Sequence, residues 1–255
     1  MTSTVAPVVS DFANEVNHRL ERLVALAADG GLDAAIGTMT SAIEAGAVIQ
    51  AFGTGHSEAF AMEIAGRAGG LIPTNKIALR DLVLQGSLTA DLLGGSSLER
   101  NPEVVAELWA ISPIYPGDVF VIASNSGVNG SVVGMALLAK EKGHDVIAVT
   151  SLQHTAQVQP KHPSGLRLSE IADVVIDNLA PYGDATLALP GGVAIGSVSS
   201  ITSAFIAQLL TIGVAERMRH DGQEPPLYLS ANIPGGDAHN HALEKNYEGR
   251  IRRGT

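Results

Sequence analysis

Small and hydroxyl-bearing residues follow the apolar run at 48–52 in the order Gly53-Thr-Gly-His-Ser57. Gly53 and Gly55 allow the backbone to turn sharply and to approach a ligand closely. Ser57 is placed to cap a helix that is predicted to run from Glu58 to Arg67. Because a helix N-terminus presents free N–H groups and the positive end of its dipole, this segment suits an anion or a sugar oxygen.

Hydroxyl and amide residues recur where other apolar runs end. They follow the runs at 119–123 and 146–149, and they open a long helix near residue 196. Ligands of parallel α/β sheets lie beyond the carboxyl ends of the strands. We therefore predict a neutral pocket for a phosphate and sugar hydroxyls, lined by Gly55, Ser57, Ser124, Asn125, Ser126, Asn129, Thr150, Ser151, Ser197 and Ser199.

The surrounding elements predict an α/β fold. Short unbroken apolar runs alternate with helical segments, which is typical of a parallel sheet covered on both faces. We expect a three-layer αβα sandwich with a mainly parallel sheet of about five strands, at 48–52, 71–75, 119–123, 146–149 and 174–176. Residues 79–100 lack periodicity and are interpreted as a mobile loop or lid near the site.

The chain shows no linker, so a single domain is expected over residues 1–255. It comprises an N-terminal helix within 1–30, a core over 30–220 and a C-terminal loop and helix over 221–255. A small hairpin is expected at 187–195 and a final helix within 232–246.

Composition excludes several classes of protein. The chain has no cysteine, so disulfides, thiolate metal sites and cysteine nucleophiles are absent. A net charge of −10 disfavours nucleic acid as a partner. We find no apolar run of ~18 residues that would indicate a membrane span and no signal-peptide pattern, so a cytoplasmic location is expected.

Two nucleotide-binding motifs are incomplete. A dinucleotide fingerprint needs a third glycine where Glu58 stands, and a phosphate-binding loop of the nucleotidase type needs a Gly-Lys-Ser/Thr sequence that neither glycine loop contains. The sequence therefore predicts neither NAD nor ATP, and no cofactor.

Three segments together resemble the sugar isomerase (SIS) domain of phosphosugar enzymes and regulators. They are Gly53-Thr-Gly-His-Ser57, Ser124-Asn-Ser-Gly-Val-Asn129 and the helix and strand from Ala139 to Ser151. The resemblance extends over roughly residues 30–220. The second segment is similar to the phosphate-gripping loop of phosphoheptose isomerase, with Asn129 where a third hydroxyl residue often stands.

Further segments are similar to a subgroup of single-domain SIS proteins described as phosphosugar isomerases or lyases. These segments are Arg67-Ala-Gly-Gly70, residues 162–168, residues 171–178, Gly183-Asp184 and residues 230–240. Together they extend the resemblance over nearly the whole chain.

The resemblance implies general acid–base chemistry on an opened sugar phosphate. The chain shows no clear metal-ligand set of the heptose isomerase type, so no metal is expected. The resemblance also implies Glu63 as the base, because Glu63-Ile-Ala-Gly-Arg67 resembles the segment that bears the catalytic glutamate of phosphoheptose isomerase. Glu63 is also spaced to pair with Arg67 at i,i+4, and Glu58 is the reserve candidate. His56 and His239 are the candidate acids.

The sequence contains two other groups of residues that include histidine. A metal site at Asp237, His239 and His241 is disfavoured, since i,i+2 positions diverge on a helix. His162 lies beside Lys161 and Arg167, where it reaches the phosphate or belongs to a solvated basic loop.

The expected partner is a phosphorylated amino sugar. If its C2 substituent is an N-acetyl group, removal of the C2 proton leads to elimination, so our first hypothesis is a lyase that removes water from N-acetylglucosamine 6-phosphate. The alternatives are an aldose–ketose isomerase and a non-catalytic phosphosugar-sensing regulator. The family habit implies a homodimer or a higher assembly with shared sites.

Overall fold

The computed structural model describes residues 6–252, and residues 1–5 and 253–255 of the predicted domain lie outside the described residues. Five parallel strands form the central sheet in the order β2-β1-β3-β4-β5. The strands are β1 (Ile49–Gly53), β2 (Thr74–Ile77), β3 (Val119–Ala123), β4 (Val146–Thr150) and β5 (Val174–Asp177). The predicted sheet is confirmed, although its second strand begins three residues later than predicted.

Helices precede, separate and follow these strands. In chain order they are α1 (Ala6–Ala28), α2 (Asp33–Glu44), α3 (Glu58–Ile64), α4 (Asp81–Leu84), α5 (Ser97–Arg100), α6 (Val104–Ile111), α7 (Gly130–Glu141), α8 (Leu152–Thr155), α9 (Leu168–Ile171), α10 (Ser199–His220) and α11 (Gly236–Glu244). Residues 79–100 are therefore not a structureless loop. They contain α4, a 3₁₀ turn at Ala90–Leu93 and α5.

The sheet is buried on both faces. Val121 and Ile147 belong to one apolar cluster, which includes side chains of α2, α3 and α10. Phe120 and Ile122, which alternate with Val121 along β3, belong to a second cluster with α6 and α7. The two clusters establish the three-layer αβα sandwich that the sequence predicts.

A two-stranded antiparallel hairpin stands apart from this sheet. It consists of β6 (Ala185–Ala188) and β7 (Ala194–Ser197), and Leu187 pairs with Ile195. The hairpin leads directly into α10, so its two ends lie near the start of that helix.

By length and composition alone, α10 could cross a membrane. Its side chains Ile206, Leu210 and Val214 are instead fully buried in the apolar cluster shared with α2 and α3. The helix is thus a core element of the sandwich.

A buried carboxylate ties three parts of the chain together at the amino end of the sheet. The side chain of Asp118 is inaccessible to solvent and accepts four hydrogen bonds. Its donors are the backbone N–H groups of Val48 (2.9 Å) and Tyr115 (3.0 Å), Gln50 Nε2 (2.8 Å) and the Arg250 guanidinium (2.7 Å). Arg250 thereby attaches the C-terminal segment to the starts of β1 and β3.

We expect Asp118→Asn to lower the free energy of unfolding by about 3–5 kcal/mol, because it leaves buried donors and Arg250 without their anion. Equilibrium urea unfolding measures the change. Glu216→Gln is the matched control: its pair with Arg219 is about two-thirds exposed, and such pairs contribute ~0–1 kcal/mol. Equal unfolding free energies for the two variants would contradict the anchoring role of Asp118.

Candidate functional site

A cavity of about 350 Å³ lies beyond the carboxyl ends of the sheet strands. Its walls come from the loops after β1 and β3, from α5 and α8, and from the two ends of the hairpin. The lining residues are Thr54, Gly55, His56, Ser57, Glu99, Ser124, Asn125, Ser126, Asn129, His154, Asp184, Ser197, Ser199 and Ser200. Hydroxyl, amide and imidazole groups dominate, and within residues 6–252 no lysine or arginine lines the cavity.

The structure brings together most of the predicted ligand-binding residues. All ten except Thr150 and Ser151 line the cavity, and so does His56. Thr150 and Ser151 are fully buried. The Ser151 hydroxyl donates to the Ala180 carbonyl (2.6 Å) and accepts from the His154 backbone N–H (2.9 Å). Ser151 therefore caps the turn that carries His154.

The loop after β1 is closed tightly. A Cβ at Gly53 would lie 2.2 Å from the carbonyl oxygen of Ser57, so only glycine fits there. Residues Gly55–Ser57 form a 3₁₀ turn, and the Ser57 side chain makes no capping bond to α3. The predicted cap is wrong, because Ser57 already has helical φ and ψ angles and is part of the turn.

The loop after β3 presents the start of α7 to the cavity. The Gly127 N–H donates to the Ser124 hydroxyl (3.1 Å), which fixes the loop. Val133 N–H donates to the carbonyl of Asn129 (3.0 Å), and the N–H groups ahead of Val133 have no carbonyl partner within the helix. The start of this 12-residue helix can therefore hold an anion.

The start of α10 already holds a carboxylate. Asp184 Oδ1 accepts from the backbone N–H groups of Val198 (3.2 Å) and Ser199 (2.8 Å), and Oδ2 accepts from the Ser199 hydroxyl (2.8 Å). An acidic side chain at a helix N-terminus is stabilised by the dipole. Ser197 and Ser199 thus line the cavity beside a helix end that is occupied by the protein's own anion.

Glu99 is the cavity carboxylate that sequence reasoning missed. It lies on α5, inside the segment that was expected to be a loop. The Asn129 amide donates to Glu99 Oε1, and the Ser131 hydroxyl donates to the Glu99 carbonyl (2.8 Å). Asn129 Oδ1 is buried and has no hydrogen-bond partner.

The other acidic candidates lie elsewhere. Glu63 accepts from Arg67 at i,i+4 and from Gln208 Nε2 (2.6 Å). Glu58 pairs with Lys76 (3.4 Å) and with Arg80. Neither glutamate lines the cavity.

The remaining histidines named from the sequence also lie outside it. His239 is exposed on α11 with its Nε2 3.0 Å from the Leu227 carbonyl oxygen. His162 Nδ1 is 2.9 Å from the Ser164 hydroxyl. In the described part of the chain, no three His, Asp or Glu side chains are grouped so that they could hold a metal ion.

His154, in contrast, was not singled out from the sequence and lines the cavity. Burial lowers the pKa of its imidazole below the ordinary value, with nearby Lys161 acting in the same direction and Asp184 opposing it. A usable signal was present: a histidine three residues after a strand-ending serine, on the turn that the serine caps. Thr54, Asp184 and Ser200 also line the cavity and were not predicted as site residues.

The family model for the SIS domain matches residues 11–151. A UPF0309 protein of Listeria monocytogenes serotype 4b is 38% identical over 214 residues, which cover 84% of this chain and 85% of that protein. A UPF0309 protein of Geobacillus kaustophilus is 35% identical over 246 residues, which cover 96% of each chain. The chain belongs to the SIS domain family.

Solved structures share the fold of this SIS protein. An Escherichia coli CFT073 protein, solved as a ligand complex, superposes with a TM-score of 0.52 at 16% identity, covering 86% of this chain and 94% of that one. A phosphoheptose isomerase from Francisella tularensis gives a TM-score of 0.51 at 18% identity, covering 84% of this chain and all of that one. The chain therefore has the α/β fold found in a phosphosugar isomerase.

The site requires a close approach between α5 and α7. A Cβ at Gly130 would lie 2.2 Å from the Arg100 carbonyl oxygen, so Gly130→Ala must push the segment that bears Glu99 away from Asn129. We expect a loss of about 1–3 kcal/mol in unfolding free energy and weaker binding of a sugar phosphate. Urea unfolding and isothermal titration calorimetry measure the two effects.

Gly94→Ala is the matched control, because a Cβ there meets only the Asp91 carbonyl at an ordinary 3.4 Å and the backbone φ of −76° suits alanine. If Gly130→Ala bound and unfolded like Gly94→Ala, the approach of α5 to α7 would not be needed for the site.

Proposed function

We propose that this SIS protein is an enzyme that removes the C2 proton of a phosphorylated amino sugar. Its proposed reaction is the elimination of water from N-acetylglucosamine 6-phosphate. One observation carries the proposal: a carboxylate, Glu99, and two imidazoles, His56 and His154, line a cavity of hydroxyl and amide groups at the start of α7.

The phosphate is assigned to the loop Ser124–Asn129. Helices α7 and α10 both begin at the cavity, but the backbone N–H groups at the start of α10 donate to Asp184, whereas at the start of α7 the nearby carboxylate, Glu99, accepts from the Asn129 side chain. Backbone N–H groups and the Ser126 hydroxyl hold an anion without adding formal charge. This accounts for phosphate binding in a cavity whose described wall contains no lysine or arginine.

Glu99 is assigned as the base. Asn129 holds one of its carboxylate oxygens, and a Cβ at Gly55 would lie 3.1 Å from the other, Oε2, so Oε2 lies beside the first glycine loop. A carboxylate that is fixed at one oxygen and open at the other can accept a proton from a bound substrate. Glu63 is a weaker candidate in a single chain because Arg67 and Gln208 already engage it.

The proposed reaction starts from the ring-opened sugar. The C1 carbonyl acidifies the C2 proton, which passes to Glu99, and the C2–H electron pair enters a C1–C2 enolate. An N-acetyl group at C2 provides no hydroxyl for an aldose–ketose interconversion. The electrons instead form a C2–C3 double bond, and the C3 hydroxyl leaves as water after it receives a proton from His56.

An aldose–ketose isomerase is the second candidate. The named phosphoheptose isomerase has the same fold, and both reactions begin with transfer of the C2 proton to a base. The two differ only in whether C3 loses its hydroxyl, so the product distinguishes them.

The test is proton NMR in heavy water with N-acetylglucosamine 6-phosphate, beside glucosamine 6-phosphate and fructose 6-phosphate. We expect the N-acetylated sugar to lose its C2 proton signal and to gain a vinylic signal. Interconversion of glucose 6-phosphate with fructose 6-phosphate and inert N-acetylated sugars would establish the isomerase instead. Binding without turnover of any of these sugars would favour a sensor.

Two isosteric variants test the assignment of the base. Glu99→Gln keeps the shape and removes the proton acceptor, so we expect C2 exchange to fall by ~10²–10⁴-fold, the contribution typical of general base catalysis. Glu63→Gln is the matched control on α3, and we expect exchange within a few-fold of the parent protein. The reverse pattern would assign the base to Glu63, supplied by a neighbouring subunit.

We also propose that the protein forms a homodimer through the face made by α1 and the hairpin. Val193 just before β7, Ile195 on β7 and Val9 on α1 are about half exposed or more. The Phe12 ring packs on Gly196, which joins α1 to the hairpin. Contiguous apolar surface of this kind is typical of an interface, and the hairpin ends at the cavity through Asp184 and Ser197.

Light scattering tests the assembly. We expect twice the chain mass for the parent protein and a single-chain mass for the double variant Val193→Glu/Ile195→Glu, since two buried charges are strongly unfavourable at an apolar interface. The control is Leu84→Glu, a 70% exposed position on α4. A single-chain mass for the parent protein would contradict the proposal.

A further inference from the structure

The position of His154 is fixed from three sides. Helix α8 begins directly after β4, and Ser151 caps its backbone, as described above. The His154 ring lies beside Tyr182 with ring centroids 5.4 Å apart and an angle of 36° between the planes. On the third side, the backbone N–H of Gly183 donates to Nδ1 (3.1 Å).

The bond from Gly183 determines where the imidazole proton resides. A backbone N–H is only a donor, so Nδ1 must act as the acceptor and cannot carry a proton. In the neutral ring the proton is then on Nε2. His154 thus brings an oriented N–H donor to the wall of the cavity.

The turn that supplies this N–H is held in an uncommon conformation. Leu179 (φ 60°) and Asp184 (φ 69°) flank it, and they are the two non-glycine residues with left-handed φ in the described chain. Such conformations cost free energy and persist where the surroundings fix them. Here the Asp184 carboxylate is bound to the start of α10. The backbone N–H of Asp184 donates to the Pro181 carbonyl (3.0 Å).

The charge state of His154 agrees with this geometry. Burial lowers its pKa, Lys161 lowers it further, and Asp184 acts in the opposite direction without reversing the shift. Protonation of Nδ1 would also place its N–H opposite the backbone N–H of Gly183, so that two donors would face each other. The ring therefore stays neutral from alkaline pH down past its ordinary pKa of about 6.5.

We propose that His154 is a catalytic residue that donates its Nε2–H, as a neutral imidazole, to the C1 oxygen of the opened sugar. This inference rests on the proposed function. As the C2 proton passes to Glu99, negative charge develops on the C1 oxygen, and a donor placed there stabilises the enolate more than the carbonyl. His154 transfers no proton, so His56 remains the group that protonates the departing C3 hydroxyl.

Kinetics of two variants test the role. We expect His154→Ala to lower kcat by ~10²–10³-fold, the loss typical of an oxyanion donor, with KM changed only a few-fold. His154→Gln keeps an N–H donor of similar reach and is expected to recover at least ~10-fold of that loss. His220→Ala, at a side chain that is 89% exposed, serves as the control for histidine removal and should match the parent protein.

The acid limb of the pH profile gives a second readout. For the parent protein we expect kcat to hold as the pH falls through 6.5 and to drop below the lowered pKa, because protonation disrupts the bond from Gly183. Glutamine does not titrate. In His154→Gln the part of the acid limb that is due to His154 should therefore disappear, and only the contributions of Glu99 and His56 should remain. A merely structural histidine would not move the limb.

Nitrogen NMR of the labelled protein reads the tautomer directly. We expect an acceptor-type shift for His154 Nδ1 and an N–H-type shift for Nε2 at pH 7, and a downfield shift of the Nε2 proton when a sugar-phosphate hydroxamate, an enolate analogue, binds. His154→Ala should weaken binding of the hydroxamate far more than it weakens binding of inorganic phosphate.

The contrary outcomes are distinct. A protonated Nδ1, or a kcat for His154→Ala equal to that of an active parent protein, would overturn the role of His154 and leave the proposed function intact. A parent protein that exchanges no C2 proton of any tested sugar phosphate would overturn both.

Discussion

Helices α7 and α10 both begin at the cavity, and the N-terminus of α10 is occupied by a carboxylate of the protein itself. Asp184 supplies the anion that the start of α10 requires, through three hydrogen bonds of 2.8–3.2 Å. At the start of α7 the nearby carboxylate, Glu99, is bound to the Asn129 side chain, and among the described residues no carboxylate accepts from the backbone N–H groups there. In our proposal this difference places the phosphate on the loop after β3, and the position of the remaining sugar atoms follows from it.

The described wall of the cavity has no lysine or arginine side chain for the phosphate that we propose it binds. The chain carries a net charge of −10, and Glu99 and Asp184 both line the cavity, while no lysine or arginine of the described residues does. Affinity for a dianion must then come from oriented N–H groups and hydroxyls, which need no counter-charge. Among the described residues Glu99 forms no ion pair with a lysine or arginine, so no cation occupies its carboxylate, which suits the role proposed for Glu99.

The fold and most of the wall of the site were predictable, because both depend on short-range patterns. Apolar runs of strand length marked β1, β3, β4 and β5, and hydroxyl residues at their carboxyl ends marked the loops that meet at one edge. The polar strand β2 (Thr74–Ile77) was placed three residues too early. The errors in the wall of the site have a common cause, which is that hydroxyl groups at strand ends serve the backbone as readily as a ligand. The Ser151 side chain caps α8, and Ser57 is part of a 3₁₀ turn.

The position of Glu99 at the cavity could not be predicted in this way. Glu99 reaches Asn129 across 30 residues, from a segment whose short helices and 3₁₀ turn leave no periodic signal. Gly130 makes the approach possible, and nothing in the sequence identifies Arg100 as its neighbour. For Glu63, in contrast, the sequence offered a second role beside that of the base, an ion pair with Arg67 at i,i+4. The structure shows this ion pair.

The most direct test of this account is a crystal structure of the protein with N-acetylglucosamine 6-phosphate bound to the slow variant Glu99→Gln. The account predicts the phosphate on residues 124–129, C2 within about 3.5 Å of the residue 99 side chain, a near-attack distance, and the C1 oxygen on His154 Nε2. A phosphate at residues 197–200, or a C2 atom that faces Glu63 of a neighbouring subunit, would contradict it.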